Sequence, residues 1–154
     1  MRTDSRLSRM LHVLLHMARA EQQFTSDQIG QMLGTNAVVV RRTMAGLRKA
    51  GYVTSLKGHG GGWTIACDLT KTTLLDIYDA IGGTGLFSVG VDNLSPHCGV
   101  ERVVNEAIGA ALKDAEELLR TELRSVTLAQ LSERFDTVCV DTGWPPDGVG
   151  IKSV

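Results

Sequence analysis

The stretch that most limits what this chain can become runs from Gly34 to Trp63, GTNAVVVRRTMAGLRKAGYVTSLKGHGGGW. Thr35 or Asn36 can cap a helix that continues to about Ala50, where Gly51 stops it. Val40, Met44 and Leu47, with Val39 on the flank, recur at helical spacing and form its core face. Tyr52–Leu56 and Trp63–Ala66 then alternate as two strands around a glycine-rich turn. Just upstream, residues 26–33 predict a short helix capped by Thr25 or Ser26, with Ile29, Met32 and Leu33 turned inward and Gly34 ending it. Two helices joined by a short turn, then a hairpin, match a helix-turn-helix with a wing. The helix carries Arg41, Arg42, Arg48 and Lys49, and the turn carries Lys57 and His59. A basic helix beside a basic hairpin suits nucleic acid, because the helix fits a major groove while the hairpin reaches backbone or minor groove. For any single one of these charges the plain alternative is a solvated surface position.

The formal net charge of −1 conceals an asymmetry. Residues 1–66 hold nine Lys+Arg and three Asp+Glu, a formal +6; the remainder holds seven and fourteen, a formal −7. One half is built to meet a polyanion and the other is not. No apolar run of about 18 residues occurs, so no membrane span is expected. The basic-then-apolar N-terminus faintly resembles a signal peptide, but Arg9, His12, His16 and Arg19 interrupt it at a helical period. Three cysteines, Cys67, Cys98 and Cys139, form no paired framework, which fits a reducing cytoplasm.

Leu7, Met10, Leu11, Leu14, Leu15 and Ala18 predict a first helix over residues 4–20. A fourth helix is expected over about 72–81, with Thr72 as cap and Gly82-Gly83 as stop. A Gly/Ser-rich loop follows, and Ser95-Pro96 is a good opening for a helix reaching about residue 124. At about 1.5 Å per residue that helix is roughly 40 Å long. Val104, Ile108, Ala111, Leu112, Ala115 and Leu119 lie on its apolar face. A face longer than one head can cover is a candidate for self-association. Thr127-Leu128-Ala129-Gln130 is a capping-box pattern for a last short helix ending near Phe135. Residues 136–154 read as a loose tail. The expected organisation is a head over 1–68, a linker helix, loop and long helix over 69–135, and that tail.

Leu47-Arg48-Lys49-Ala50-Gly51-Tyr52-Val53, the Gly58–Gly62 turn, Thr73-Leu74-Leu75-Asp76-Ile77 and Thr127-Leu128-Ala129-Gln130-Leu131 together carry a resemblance. Over residues 1 to about 135 the chain resembles the winged-helix regulators of the IscR, NsrR and CymR type, the Rrf-two family. The resemblance implies a mainly α fold with a small β-hairpin: a winged helix-turn-helix head and a long C-terminal dimerisation helix. It implies a homodimer, formed through the long helix and the first helix, on a palindromic operator in double-stranded DNA, in many members as a repressor. It places Asn36, Val38, Arg41 and Arg42 where the recognition helix meets the major groove. Lys57 falls on the minor-groove position of the wing, with His59 just beyond, and Ser26 is counted with the DNA-contacting set. Arg can fork onto guanine, Asn can pair with adenine, and Lys is a point charge for phosphate.

Iron–sulfur members of that family carry three cysteines in the loop before the long helix. Here only Cys98 matches, so no cluster and no other cofactor is expected. Cys98, expected about three residues into the long helix beside His97, is a candidate redox thiol, because a helix N-terminus favours thiolate. Cys67 and Cys139 read as structural. His12 and His16 have an i, i+4 spacing able to hold a metal, but with no third ligand nearby they read as packing or dimer-contact residues. Asp76 and Asp79 read as solvated charges, and Trp63 as an anchor for the wing. No nucleophile triad, phosphate loop or catalytic carboxylate pair is present, so an enzyme is not expected. The reading is a cytoplasmic homodimeric transcriptional repressor whose signal is either a small-molecule effector near Tyr78, Leu86 and Phe87, or oxidation at Cys98. The alternative is a protein-interaction module that keeps the fold without operator binding.

Overall fold

The fold was analysed in a computed structural model, which describes residues 4–20, 22–58, 61–83, 90–91 and 97–143. The order is α1 (Arg6–Ala20), α2 (Ser26–Leu33), α3 (Ala37–Lys49), β1 (Val53–Ser55), β2 (Trp63–Ile65), α4 (Leu74–Ala80), α5 (Gly99–Ser125) and α6 (Leu128–Thr142). The architecture is mainly helical with one two-stranded antiparallel hairpin, as expected. None of the described helices is long and apolar enough to cross a membrane.

α1 lies at the centre and packs on α2, α4, α6 and β2. Met10, Val13, Leu14 and Met17 form its buried side. Leu15 was expected on that face, but it is only half-buried, and Val13 takes the central place. Ile29 of α2, Val40, Met44 and Leu47 of α3, Val53, Trp63, Ile77 and Leu128 complete one core. In the hairpin Val53 faces Ile65, Thr54 faces Thr64, and Ser55 faces Trp63. The α1–α2 linker adds a stub of third strand: Phe24 and Trp63 exchange backbone hydrogen bonds at 3.1 and 2.8 Å.

Helix starts are fixed by local chemistry. Thr25, Thr73 and Thr127 each close a reciprocal capping box with Gln28, Asp76 and Gln130. Thr73, not Thr72, therefore caps α4. Thr72 is buried, and its hydroxyl donates to the Asp68 carbonyl at 2.9 Å. Asp76 belongs to a cap rather than to a solvated face. A backbone bridge between Thr73 and Thr127 clips the starts of α4 and α6 together.

Two expectations for the C-terminal half are corrected. Ser95-Pro96 lies outside the described residues, and α5 begins at Gly99 with Cys98 as its N-cap, so Cys98 stands before the helix and not inside it. The last helix continues past Phe135 to Thr142, and residues 136–142 are helical. Its stop is Gly143, left-handed at φ 71°. Contacts from α1 hold this extension. Arg19 bonds Ser132 at 3.1 Å, pairs with Asp136 at 2.6 Å and stacks over Phe135, while Cys139 is buried.

Candidate nucleic-acid interface

α3 turns Val40, Met44 and Leu47 inward. The helical period therefore sets Val38, Arg41, Arg42 and Lys49 on the opposite stripe, where all four are exposed. Val38, an apolar side chain, is 68% exposed there. Arg48 sits at the edge and donates to Ser55 Oγ at 3.2 Å, tying the end of α3 to β1. Asn36 is the N-cap: its Oδ1 accepts from the backbone N–H groups of Val38 and Val39, each at 3.0 Å. That cap satisfies two amides that would otherwise lack partners. It also occupies the acceptor that a bidentate pair with adenine needs. A base contact from Asn36 thus falls to its Nδ2, or requires the cap to open.

The wing is shaped by close backbone approach. Leu56 N–H donates to Gly62 and Gly61 N–H to Gly58, both at 3.0 Å. A Cβ at Gly61 would strike the Leu56 carbonyl, so this turn accepts only glycine there. Lys57 is exposed on it, and His59 lies outside the described residues. At the base of the wing Trp63 is buried, as an anchor should be, and its indole N–H donates to Ser26 Oγ at 3.0 Å. Ser26 is therefore first a tether between α2 and the wing. Thr25, Ser26, Arg41, Lys57 and Trp63 line one open groove between α2, α3 and the hairpin. Two cations converging on one groove can seat a phosphodiester; Asp27 lines the same groove and repels anions at that edge.

The remaining singled-out residues lie away from this groove. Cys98 is exposed at the head of α5. The amides of Glu101 and then Val100 hold its thiol below the ordinary range, although the sulfur makes no full cap hydrogen bond. Cys67 is half-buried and Cys139 is buried. These thiols stand on separate elements, and among the described residues no three His, Cys, Asp or Glu side chains gather as a metal site. This donor set does not fit an iron–sulfur cluster, which asks for about four thiolates or their substitutes.

α5 packs on α4, with Arg120 forking onto Asp79 at 3.2 and 3.1 Å. Asp79 is thus paired rather than merely solvated. No α5 residue is buried in the single chain. The residues expected at a dimer seam divide: Ile108, Leu112, Ala115 and Leu119 are half-buried, whereas Val104 and Ala111 are exposed. Val100 and Leu118, 74% and 65% exposed, continue the outer stripe. Tyr78 of α4 is buried, and burial followed by the charge of Glu116 on α5 raises its phenol above the ordinary range. Leu86 and Phe87, the other residues of the expected effector site, lie outside the described residues.

Sequence reading missed Gly46 and Phe24. A Cβ at Gly46 would run into the Ala80 carbonyl, so α3 rests directly on the backbone of α4. A glycine inside a helical pattern was the available signal. Nothing local marked Phe24 as a strand stub.

Comparison with known proteins agrees with this geometry. Residues 3–134 match the family described as "Rrf2: Iron-dependent Transcriptional regulator". The chain is 30% identical over 145 residues to YwgB of Bacillus subtilis (strain 168), named as a helix-turn-helix-type transcriptional regulator. That match covers 92% of this chain and 93% of YwgB. A transcriptional-regulator structure from Lactobacillus plantarum superposes with a TM-score of 0.72 at 21% identity, covering 90% of this chain and 95% of that one. IscR of T. potens gives 0.60 at 20% identity, covering 90% of each. These two likenesses concern the fold. The chain belongs to the Rrf2 family of transcriptional regulators.

Proposed function

We propose that this regulator binds a palindromic operator as a homodimer and represses from it, without an iron–sulfur cluster. The observation that carries the reading is the groove that Arg41 of α3 and Lys57 of the wing line together with Ser26 and Trp63. In this reading α3 enters a major groove with Val38, Arg41 and Arg42 toward base edges, and the wing follows the backbone into the adjacent minor groove. Self-association runs along the apolar stripe of α5. The signal acts where α4 and α5 meet, either as a small molecule beside Tyr78 or through oxidation of Cys98, and it changes the spacing of the two heads. A dimer must match half-sites about one helical turn apart, so a small change of spacing lowers affinity.

The test begins with operators selected from genomic fragments bound in cells. Affinity should fall steeply with salt, with a slope of about −0.9 per neutralised phosphate. Arg41→Ala should relax base preference at one position in each half-site. Lys57→Ala should weaken all sequences evenly and reduce the salt slope by about one. Binding indifferent to salt, or no effect of either substitution, removes the operator-reading model in favour of the protein-interaction alternative.

A further inference from the structure

We propose that His12 and His16 form a two-imidazole site for a divalent late transition metal, Ni2+ or Cu2+ by ligand type. Both lie in the middle of α1, one turn apart, with His12 exposed and His16 half-buried. Their Nε2 atoms are 2.9 Å apart, with ring centroids at 4.6 Å and planes at 66°. In the metal-free chain one Nε2–H donates to the lone pair of the other. A metal ion replaces this hydrogen bond: the donor ring shifts its proton from Nε2 to Nδ1 by exchange with solvent, so both rings stay neutral and both Nε2 lone pairs bind the ion.

Two imidazole nitrogens already 2.9 Å apart lie within reach of one ion at metal–nitrogen bonds of about 2.0–2.1 Å. Imidazole pairs with open positions for water suit Cu2+ and Ni2+, whose square-planar and octahedral sites take two such ligands side by side. The i, i+4 spacing on a formed helix holds the two ligands in register before the ion arrives, which is the source of chelate affinity. Water fills the other positions. The cations one turn away on either side are directed elsewhere: Arg9 donates to the Leu33 carbonyl, and Arg19 engages Asp136 and Ser132. Both ligands belong to α1 and neither lines the groove of Arg41 and Lys57, so the site is independent of the DNA-binding reading.

The test is titration of the full chain with NiCl2, followed by calorimetry and by paramagnetic loss of amide signals. Signal loss should centre on residues 9–19, with affinity falling in acid, because imidazolium has no lone pair to give. His12→Ala and His16→Ala should each weaken binding by about tenfold or more. Alanine suits a position within a helix, and unchanged circular dichroism would verify that the fold persists; His12→Gln, at the exposed ring, gives a second, polar replacement with the same expected loss. Signal loss centred on His97 and Cys98, affinities within about twofold of the unaltered chain in the variants, or Zn2+ binding more tightly than Ni2+, would overturn the assignment.

Discussion

At Trp63 one hydrogen bond ties the hairpin to α2. The indole is buried, and Ser26 Oγ is its acceptor. Ser26→Ala leaves that N–H without its partner, a loss worth about 1–3 kcal/mol when the donor stays buried. The denaturant midpoint should fall accordingly, and operator affinity should fall with it because the wing loses its tether to α2. Unchanged stability would mean the indole finds another acceptor. Cys98 carries the second prediction at this scale. Its thiol is lowered by the amides of Glu101 and Val100, so alkylation by iodoacetamide should have a midpoint below the free-thiol value of about 8.5. Buried Cys139 should stay unreactive in the native chain. A midpoint above about 9 would leave Cys98 an ordinary surface residue and direct attention to a bound small molecule. Residue types near the groove were legible in sequence, and bond directions were not. Asn36 and Ser26 were both named for DNA, yet one caps α3 and the other accepts from Trp63, because a short polar side chain serves whichever donor the fold brings to it.

Elements were legible where their signals are local. The capping boxes at Thr25 and Thr127 and the stripe of Val40, Met44 and Leu47 require only neighbours in sequence. The length of α6 was not read, because what holds residues 136–142 comes from α1, more than a hundred residues away. Gly143 was its one local mark. The contact between α3 and α4 belongs to the same class. Gly46 lets α3 lie on the Ala80 carbonyl, and α4 contacts both α3 and α5. Gly46→Ala raises helix propensity but inserts a methyl group where the backbone already stands. Overpacking of this kind costs about 1–3 kcal/mol, against a propensity gain of about 1. The variant should melt lower and bind operator more weakly, with the α3–α4 amides showing the largest shifts. A rise in melting temperature would show that α4 moves away freely, and that the head does not depend on this contact.

Formal charge divides the chain into a basic half, residues 1–66, and an acidic remainder, and the long helix α5 leaves apolar side chains uncovered in the single chain. Two sets of residues on α5 must be distinguished. Ile108, Leu112 and Leu119 are half-buried without any partner, so a charge there disturbs the chain's own packing as well as an interface. Val104, Ala111 and Leu118 lie on the outer stripe, where the single chain gains little from them. A second copy is the economical cover for such a stripe, since a two-fold axis lets one face serve both sides. Val104→Glu is therefore the sharper substitution. In the single chain it is solvated and should leave the melting transition of a monomer unchanged. In a dimer seam it places one carboxylate beside its symmetry mate in apolar surroundings, which commonly costs several kcal/mol when unpaired. Light scattering should then report a monomer at micromolar concentration. Operator affinity should fall toward that of one head, because two half-sites no longer act as a linked pair. Leu112→Glu should also dissociate the dimer, but with loss of folded stability. If Val104→Glu stays dimeric while Leu112→Glu does not, the seam lies on the half-buried side and α5 must turn relative to α4 to form it. If both stay dimeric, the copies meet elsewhere, and the spacing of the heads is not governed by this helix.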